Sequence, residues 1–139
     1  MRNVPTVCVR ETTDSVIKFQ EQRSIIRFLN DKRLNYKKIQ VDGCALHEGL
    51  KCDKMLCSAD EREEHYVELK GSDVPHAIDQ LRQTIIKLGE YDDKRRSYVV
   101  CTKVAPKIST LIQRAKAEFR KKYNSDLQIK ETPLEVILK

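Results

Sequence analysis

The sequence predicts a single α/β domain with a mixed central β-sheet flanked by helices. Its 139 residues and 40% hydrophobic content suit one domain with one core. Three strand-like segments follow one another between residues 36 and 70, which is typical of an antiparallel meander. A helical pattern, a strand and a second helical pattern come next, an order that requires parallel pairing as well. We therefore expect residues 1–139 to fold as one domain.

The first third of the chain predicts a short strand and then a helix. Residues 4–9 are strand-like, although Pro5 limits the pairing. The polar run at residues 12–15 offers N-caps for a helix that extends to about Leu29. The apolar residues on one arc of this helix are Ile17, Ile25, Phe28 and Leu29. Glu21 falls within that arc, so either the arc is open to solvent there or the carboxylate has a partner such as a metal or a base.

The next segment predicts the meander. From Tyr36 onward, apolar Ile39 and Val41 alternate with polar residues, and Asp42-Gly43 marks a turn. Residues 51–58 return as a second strand. A charged turn then precedes a third strand at residues 65–70.

The clearest helical pattern in the chain follows the meander and has Gly89 as its C-cap. Its apolar positions are Val74, Ala77, Ile78, Leu81, Ile85 and Leu88. Residues 97–104 predict a strand, and residues 107–123 predict a third helix. Weaker patterns place final strands at residues 127–129 and 134–138.

The cysteines are expected to be reduced core residues. There are five, an odd number, and no two have the C-x-x-C spacing of a redox or zinc motif. They are Cys8, Cys44, Cys52, Cys57 and Cys101. A zinc site built from Cys52, Cys57, His47 and His65 is the alternative, but the C-x4-C spacing has no matching second pair. None of the three histidines is assigned a role.

Two features of the sequence bear on location. No apolar run approaches the roughly 20 residues of a membrane span. Residues 1–5 lack a continuous apolar stretch of signal-peptide type. We therefore expect a cytoplasmic protein with no membrane partner.

The net charge of +6 is concentrated in one segment. Residues 94–123 contain ten Lys or Arg against one acid, whereas the remaining chain carries 17 basic and 20 acidic residues. Such a patch suits a polyanion, and the alternative is an ordinary solvated helix face. The residues expected to contact nucleic acid are Lys103, Lys107, Arg114, Lys116, Arg120 and Lys121.

The third meander strand carries the candidate site. Alternation places Glu68 and Lys70 on one face, and Asp53 lies on the neighbouring strand. Asp53 and Glu68 together offer the carboxylate oxygens that Mg²⁺ or Mn²⁺ prefers, and the carbonyl of Leu69 adds a further ligand. Lys70 is then placed to orient or deprotonate a water, or to neutralise charge that develops on a phosphate.

These residues carry a family resemblance. Cys52-Asp53 followed by Val67-Glu68-Leu69-Lys70-Gly71, within this order of elements, resembles the PD-(D/E)xK nuclease superfamily. This group of restriction-endonuclease-like fold includes Holliday junction resolvases. The resemblance implies a Mg²⁺- or Mn²⁺-dependent endonuclease in which Asp53 and Glu68 bind the metal and Lys70 acts on the water. It also implies that Glu21 joins the site and that Gln80 lies near it.

The resemblance covers roughly residues 14–104, and position 52 holds Cys where the name-giving pattern has Pro. The hypothesis is a metal-dependent nuclease that acts on nucleic acid, with DNA favoured over RNA. One alternative is a catalytically inactive protein of the same fold that binds nucleic acid or a protein. The other is an unrelated small α/β protein. A homodimer is also expected, because symmetric cutting of both strands of a duplex requires two sites.

Overall fold

The computed structural model describes residues 3–70, 72–103 and 109–139, without the side chains of Lys70 and Ser109. These residues contain a short 3-10 helix, nine strands and two α-helices. The elements in chain order are the 3-10 helix Thr6–Cys8, β1 Val9–Thr12, β2 Val16–Glu21, β3 Ser24–Leu29, β4 Tyr36–Gln40, β5 Lys54–Ser58, β6 Glu63–Lys70, α1 Val74–Leu88, β7 Lys94–Cys101, α2 Ser109–Tyr123, β8 Ser125–Glu131 and β9 Leu134–Ile137.

The central sheet has six strands in the order β1-β4-β5-β6-β7-β8. Strands β4, β5 and β6 pair antiparallel, as the predicted meander requires. Strand β6 then pairs parallel with β7, and β7 pairs parallel with β8. Helices α1 and α2 form the two crossovers. The mixed sheet and the α/β class are thus confirmed.

Alternation along β6 divides the core into two layers on opposite faces of the central sheet. On one face, Tyr66 packs with the apolar side of α1 and with Phe119 of α2. On the other face, Val67 and Leu69 pack against a second sheet of three strands in the order β2-β3-β9. All six residues predicted for the apolar side of α1 are buried. Helices therefore cover one face of the central sheet, and a second sheet covers the other.

The predicted N-terminal helix is wrong. Residues 16–29 form a β-hairpin in which Glu21 is paired with Ser24. Burial alternates with period two through Ile17 and Phe19, then through Ile26 and Phe28. Gln22 adopts a left-handed backbone with φ of 51°, which permits the tight turn. The period-two pattern prevails over the helical arc because β3 gains a second neighbour, β9, from the C-terminus.

The expectation of five reduced cysteines is wrong for two of them. Cys8 and Cys44 form a disulfide, with Cα atoms 5.7 Å apart. The pairing of β1 with β4 brings residue 8 beside the loop after β4, a proximity that sequence spacing does not reveal. Cys52, Cys57 and Cys101 are buried and lie outside this disulfide, as expected.

No helix in the described ranges is both long and apolar enough to cross a membrane. The predicted third helix is observed as α2 from Ser109 onward. Lys107, which was expected to contact nucleic acid, lies outside the described residues.

Candidate active site at the end of strand β6

Asp53 lies where the pairing of β5 with β6 stops. The last paired residues are Lys54 and Val67. One step further, the Leu69 main-chain N–H donates to Oδ2 of Asp53 at 2.8 Å. A strand N–H points along the plane of its sheet toward the neighbouring strand. The carboxylate therefore continues the hydrogen-bond ladder and is held in the plane of the sheet.

Main-chain contacts on both sides fix the segment that carries Asp53. The N–H of Cys52 donates to Oγ1 of Thr84 in α1 at 2.8 Å, and Nε2 of Gln80 donates to the carbonyl of Lys51 at 3.0 Å. On the opposite side, the N–H of Val41 donates to the Asp53 carbonyl at 3.1 Å. In this structure Gln80 positions the chain that leads to the site.

An open polar cavity of about 770 Å³ lies at this end of the sheet, and we call it the acidic cavity. Its lining comprises Glu21, Gln22, Arg23, Ser24, Asp42, Asp53, Leu69 and Thr102. Three residues expected at the site, Glu21, Asp53 and Leu69, are thus brought together around one space. Glu21 reaches it from the end of β2, because the hairpin places its turn over the end of β6.

The electrostatics of the acidic cavity favour a bound cation. Burial raises the pKa of Asp53, and the carboxylates of Glu21 and Asp42 raise it further. The Leu69 N–H and Lys54 act in the opposite direction but do not cancel these effects. Nζ of Lys54 also lies 3.4 Å from Oε1 of Glu21. Carboxylates that disfavour each other's charge are stabilised when a cation binds between them.

Glu68 is buried on the helix side of the sheet, with 1% of its surface exposed. Burial raises the pKa of the Cys52 thiol, and the carboxylates of Glu68 and Asp53 contribute to the same shift. Both acids therefore act on one buried atom. Glu68 is not among the described residues that line the acidic cavity.

Lys70 is placed by its backbone, which pairs with Cys101 of β7. Its side chain lies outside the described part of the structure. The strand assignment that the motif required is therefore present for both Glu68 and Lys70.

The described residues contain no group of three or more His, Cys, Asp or Glu arranged to hold a metal ion. A magnesium site does not need such a cage, because Mg²⁺ is usually held by one or two carboxylates together with water and substrate phosphate. Asp53 with Glu68 or Glu21, and the carbonyl of Leu69, supply hard oxygen donors of this kind. The donor chemistry and the crowding of negative charge fit Mg²⁺ or Mn²⁺.

The basic residues of α2 point away from the core. Arg114, Lys116, Arg120 and Lys121 are exposed, while Phe119 is buried beneath them. Arg120 has an acidic neighbour, with its guanidinium 3.8 Å from Asp126. Lys103 is exposed and directly follows Thr102, which lines the acidic cavity.

Sequence reasoning missed Asp42 and Lys54. Asp42 was assigned only to a turn, yet it lines the acidic cavity and affects Asp53. An acid in the turn before the strand that carries Asp53 was a usable signal. Lys54 directly follows Asp53, and its ion pair with Glu21 became visible only once the hairpin was known.

Comparison with known protein families, with curated proteins and with solved structures finds no match for this chain.

Proposed function

We propose that the protein is a metal-dependent nuclease of restriction-endonuclease-like architecture that hydrolyses phosphodiester bonds, with DNA as the expected substrate. The observation that carries the proposal is the position of Asp53. Its carboxylate is fixed on the Leu69 N–H and shares the acidic cavity with Glu21 and Asp42. The order β4-β5-β6-α1-β7, antiparallel and then parallel, supports the same proposal.

Each residue has a distinct role in this proposal. Asp53 and Glu68, with the Leu69 carbonyl, would hold Mg²⁺ or Mn²⁺, and Glu21 would add negative charge at the mouth. When bound, the cation polarises the phosphate and makes water more acidic. Lys70 orients the attacking water or neutralises charge on the phosphate oxygens. Gln80 and Thr84 hold the chain before Asp53 and act by positioning.

One observation favours a second candidate, a catalytically inactive protein of the same architecture that binds nucleic acid. No three-ligand metal group occurs among the residues that the structure describes. The exposed basic side chains of α2 would serve such a protein equally well. The two candidates differ in one measurable property, which is divalent-dependent hydrolysis.

The test is a nuclease assay on single-stranded, duplex and branched DNA and on RNA, with Mg²⁺, with Mn²⁺ and with EDTA. We expect cleavage with either metal and none with EDTA. Glu68→Gln should abolish cleavage, whereas Glu48→Gln, which removes an exposed acid away from the acidic cavity, should not. An absence of cleavage on every substrate, together with retained binding, would select the inactive candidate.

A further inference from the structure

A second cavity borders Lys54, the residue that follows Asp53. It is an open groove of about 540 Å³ between strand β2 and the β1–β4 side of the central sheet. Strand β2 is an edge strand of its sheet, and β1 is an edge strand of the central one. The lining comprises Val7, Cys8, Val9, Arg10, Lys18, Phe19, Gln20, Lys38, Ile39, Gln40 and Lys54. We call this space the cationic groove.

The charges in this groove all have one sign. Four of its lining residues are cationic, and none of the described lining residues is acidic. They come from four different strands or their ends and are Arg10, Lys18, Lys38 and Lys54. A one-sided set of charges in a concave surface concentrates the field and attracts anions.

Lys38 lies at the centre of this set. It is the register partner of Arg10 across β1 and β4, and its Nζ lies 5.2 Å from the centre of the Phe19 ring. Burial lowers the pKa of Lys38, and the charge of Arg10 lowers it further. Asp14 opposes this shift, and Lys54 and Lys18 add smaller effects in the same direction as Arg10. The other three cations are therefore close enough to repel Lys38, and an anion in the groove would relieve that repulsion.

The cationic groove lies next to the acidic cavity. Lys54 lines the groove, directly follows Asp53, and lies 3.4 Å from Glu21. Gln20 lines the groove, and the next residue, Glu21, lines the acidic cavity. A chain molecule that lies along the groove and extends past Lys54 would therefore reach the acidic cavity.

We propose that the cationic groove binds the phosphodiester backbone of a nucleic-acid strand and leads it to Asp53. The direction toward Asp53 rests on the proposed nuclease function, whereas binding in the groove does not. A phosphodiester suits both ends, because its charges match the cations and its oxygens can share a divalent ion with Asp53. An acidic peptide would match the cations as well, so it is a defined outcome of the test.

The test is fluorescence anisotropy with labelled single-stranded and duplex DNA in EDTA, where no cleavage occurs. The test variant is Arg10→Gln/Lys38→Gln, and the matched control is Lys32→Gln/Arg33→Gln, an exposed pair with the same loss of charge. We expect the test variant to bind about tenfold or more weakly. Its log–log salt slope should fall by about 1.4 to 1.8, which corresponds to two lost phosphate contacts. The control should stay close to the parent.

A second variant tests whether weaker binding could result from misfolding. Lys18 is exposed, so Lys18→Glu should leave the thermal midpoint unchanged and still weaken binding. The proposal is overturned if the groove variants bind like the control, if the parent binds no oligonucleotide, or if polyglutamate of equal length competes as well as DNA. Parent binding that depends on the groove, without cleavage in Mg²⁺, would support the groove and refute the nuclease. If the parent cleaves DNA and the groove variants bind DNA as well as the parent does, the nuclease is supported and the groove is refuted.

Discussion

The acids near the two ends of strand β6 lie in opposite electrostatic environments. At the first end, Glu64 is fully buried, and Nε of Arg95 donates to it at 2.8 Å. The hydroxyl of Tyr66 donates at 2.9 Å. The main-chain N–H groups of Glu90 and Tyr91 donate at 2.9 and 3.1 Å. This carboxylate has a full set of donors, as the burial of a charge requires.

Its neighbour Glu63 is satisfied in a similar way. Nε2 of buried His65 donates to Glu63 at 2.7 Å, and the hydroxyl of Tyr36 donates at 3.1 Å. The hydroxyl of Tyr98 completes the chain by donating to Nδ1 of His65 at 2.9 Å. Burial alone would raise the pKa of Glu63, but these donors hold it below its usual value.

At the other end of β6, the hydrogen bond to Asp53 comes from one main-chain N–H, and its neighbours Glu21 and Asp42 are acids. The difference distinguishes acids with a structural role from an acid with a candidate functional role. Acids that are surrounded by donors stabilise the fold. An acid whose pKa is raised by burial and by other acids, beside an open cavity, is a candidate for chemistry.

The largest expected effect is on stability at the first end. Glu64→Ala would leave the Arg95 guanidinium, whose side chain is 9% exposed, without its carboxylate. Breaking such a pair should cost about 3–5 kcal/mol in the free energy of unfolding. Asp53→Asn should cost far less, because it relieves repulsion from Glu21 and Asp42. Urea denaturation measures the free energy of unfolding of both variants. Equal losses of stability in the two variants would contradict the distinction between the two ends of β6.

The next effect is on catalysis at the second end. Lys70→Ala removes an ammonium but leaves Asp53 and Glu68 in place, so divalent binding should persist while turnover falls. The expected loss is about a hundredfold or more in rate, or about 2.7 kcal/mol. Single-turnover cleavage measures it, with Lys70→Met as the variant that keeps more of the stem. DNA affinity should change little. A Lys70→Ala protein that cleaves at the parent rate would refute the assigned role.

A smaller effect on the free energy of unfolding is expected when the pH is lowered. Burial lowers the pKa of His65 from its ordinary 6.5, so the native state resists a proton that the unfolded chain accepts. The contribution of His65 is complete above pH 6.5 and is lost as the pH falls through its native value. The lowered pKa of Glu63 acts in the same direction at lower pH. Unfolding free energy measured from pH 8 to 4 should decline, and His65→Gln should flatten the upper part of that decline.

The smallest effect is expected on DNA binding, when basic residues on the surface of α2 are replaced. Replacing Arg114, Arg120 and Lys121 with Gln should weaken DNA binding moderately and reduce the salt slope by less than three full contacts, because Arg120 also has Asp126 nearby. Anisotropy titrations across a salt series measure the slope. An unchanged slope in the triple variant would leave the cationic groove as the binding surface.

The sequence predicted correctly those parts of the fold in which apolar residues repeat with a single clear period. Helix α1 repeats apolar residues over four turns, and the meander alternates with clear turns, so neighbouring positions for Asp53 and Glu68 followed directly. The hairpin was misassigned because Ile25, Phe28 and Leu29 satisfy a helical arc, while Ile26 and Phe28 satisfy alternation. Only pairing with the distant strand β9 decides between the two.

The candidate site was predicted only in part, because some of its features depend on contacts between distant segments of the chain. The sequence predicts Glu21 as a site residue on a helix, whereas in the structure it lines the acidic cavity from the end of a strand. The Cys8–Cys44 disulfide and the cationic groove were not predicted, because both depend on tertiary proximity. Arg10, Lys18, Lys38 and Lys54 are spread over 45 residues of chain. Strand pairing in the central sheet brings Arg10, Lys38 and Lys54 together, and the packing of the second sheet adds Lys18.

The most direct test of the central claim is Mn²⁺ binding measured by isothermal titration calorimetry, because it requires neither a substrate nor turnover. The account predicts one site in the parent, which is lost in Asp53→Asn and in Glu68→Gln. The site should be retained in Asp31→Asn and Glu48→Gln, which remove exposed acids elsewhere. Equal Mn²⁺ affinity in the parent and in Asp53→Asn would contradict the assignment of this end of β6 as the metal centre.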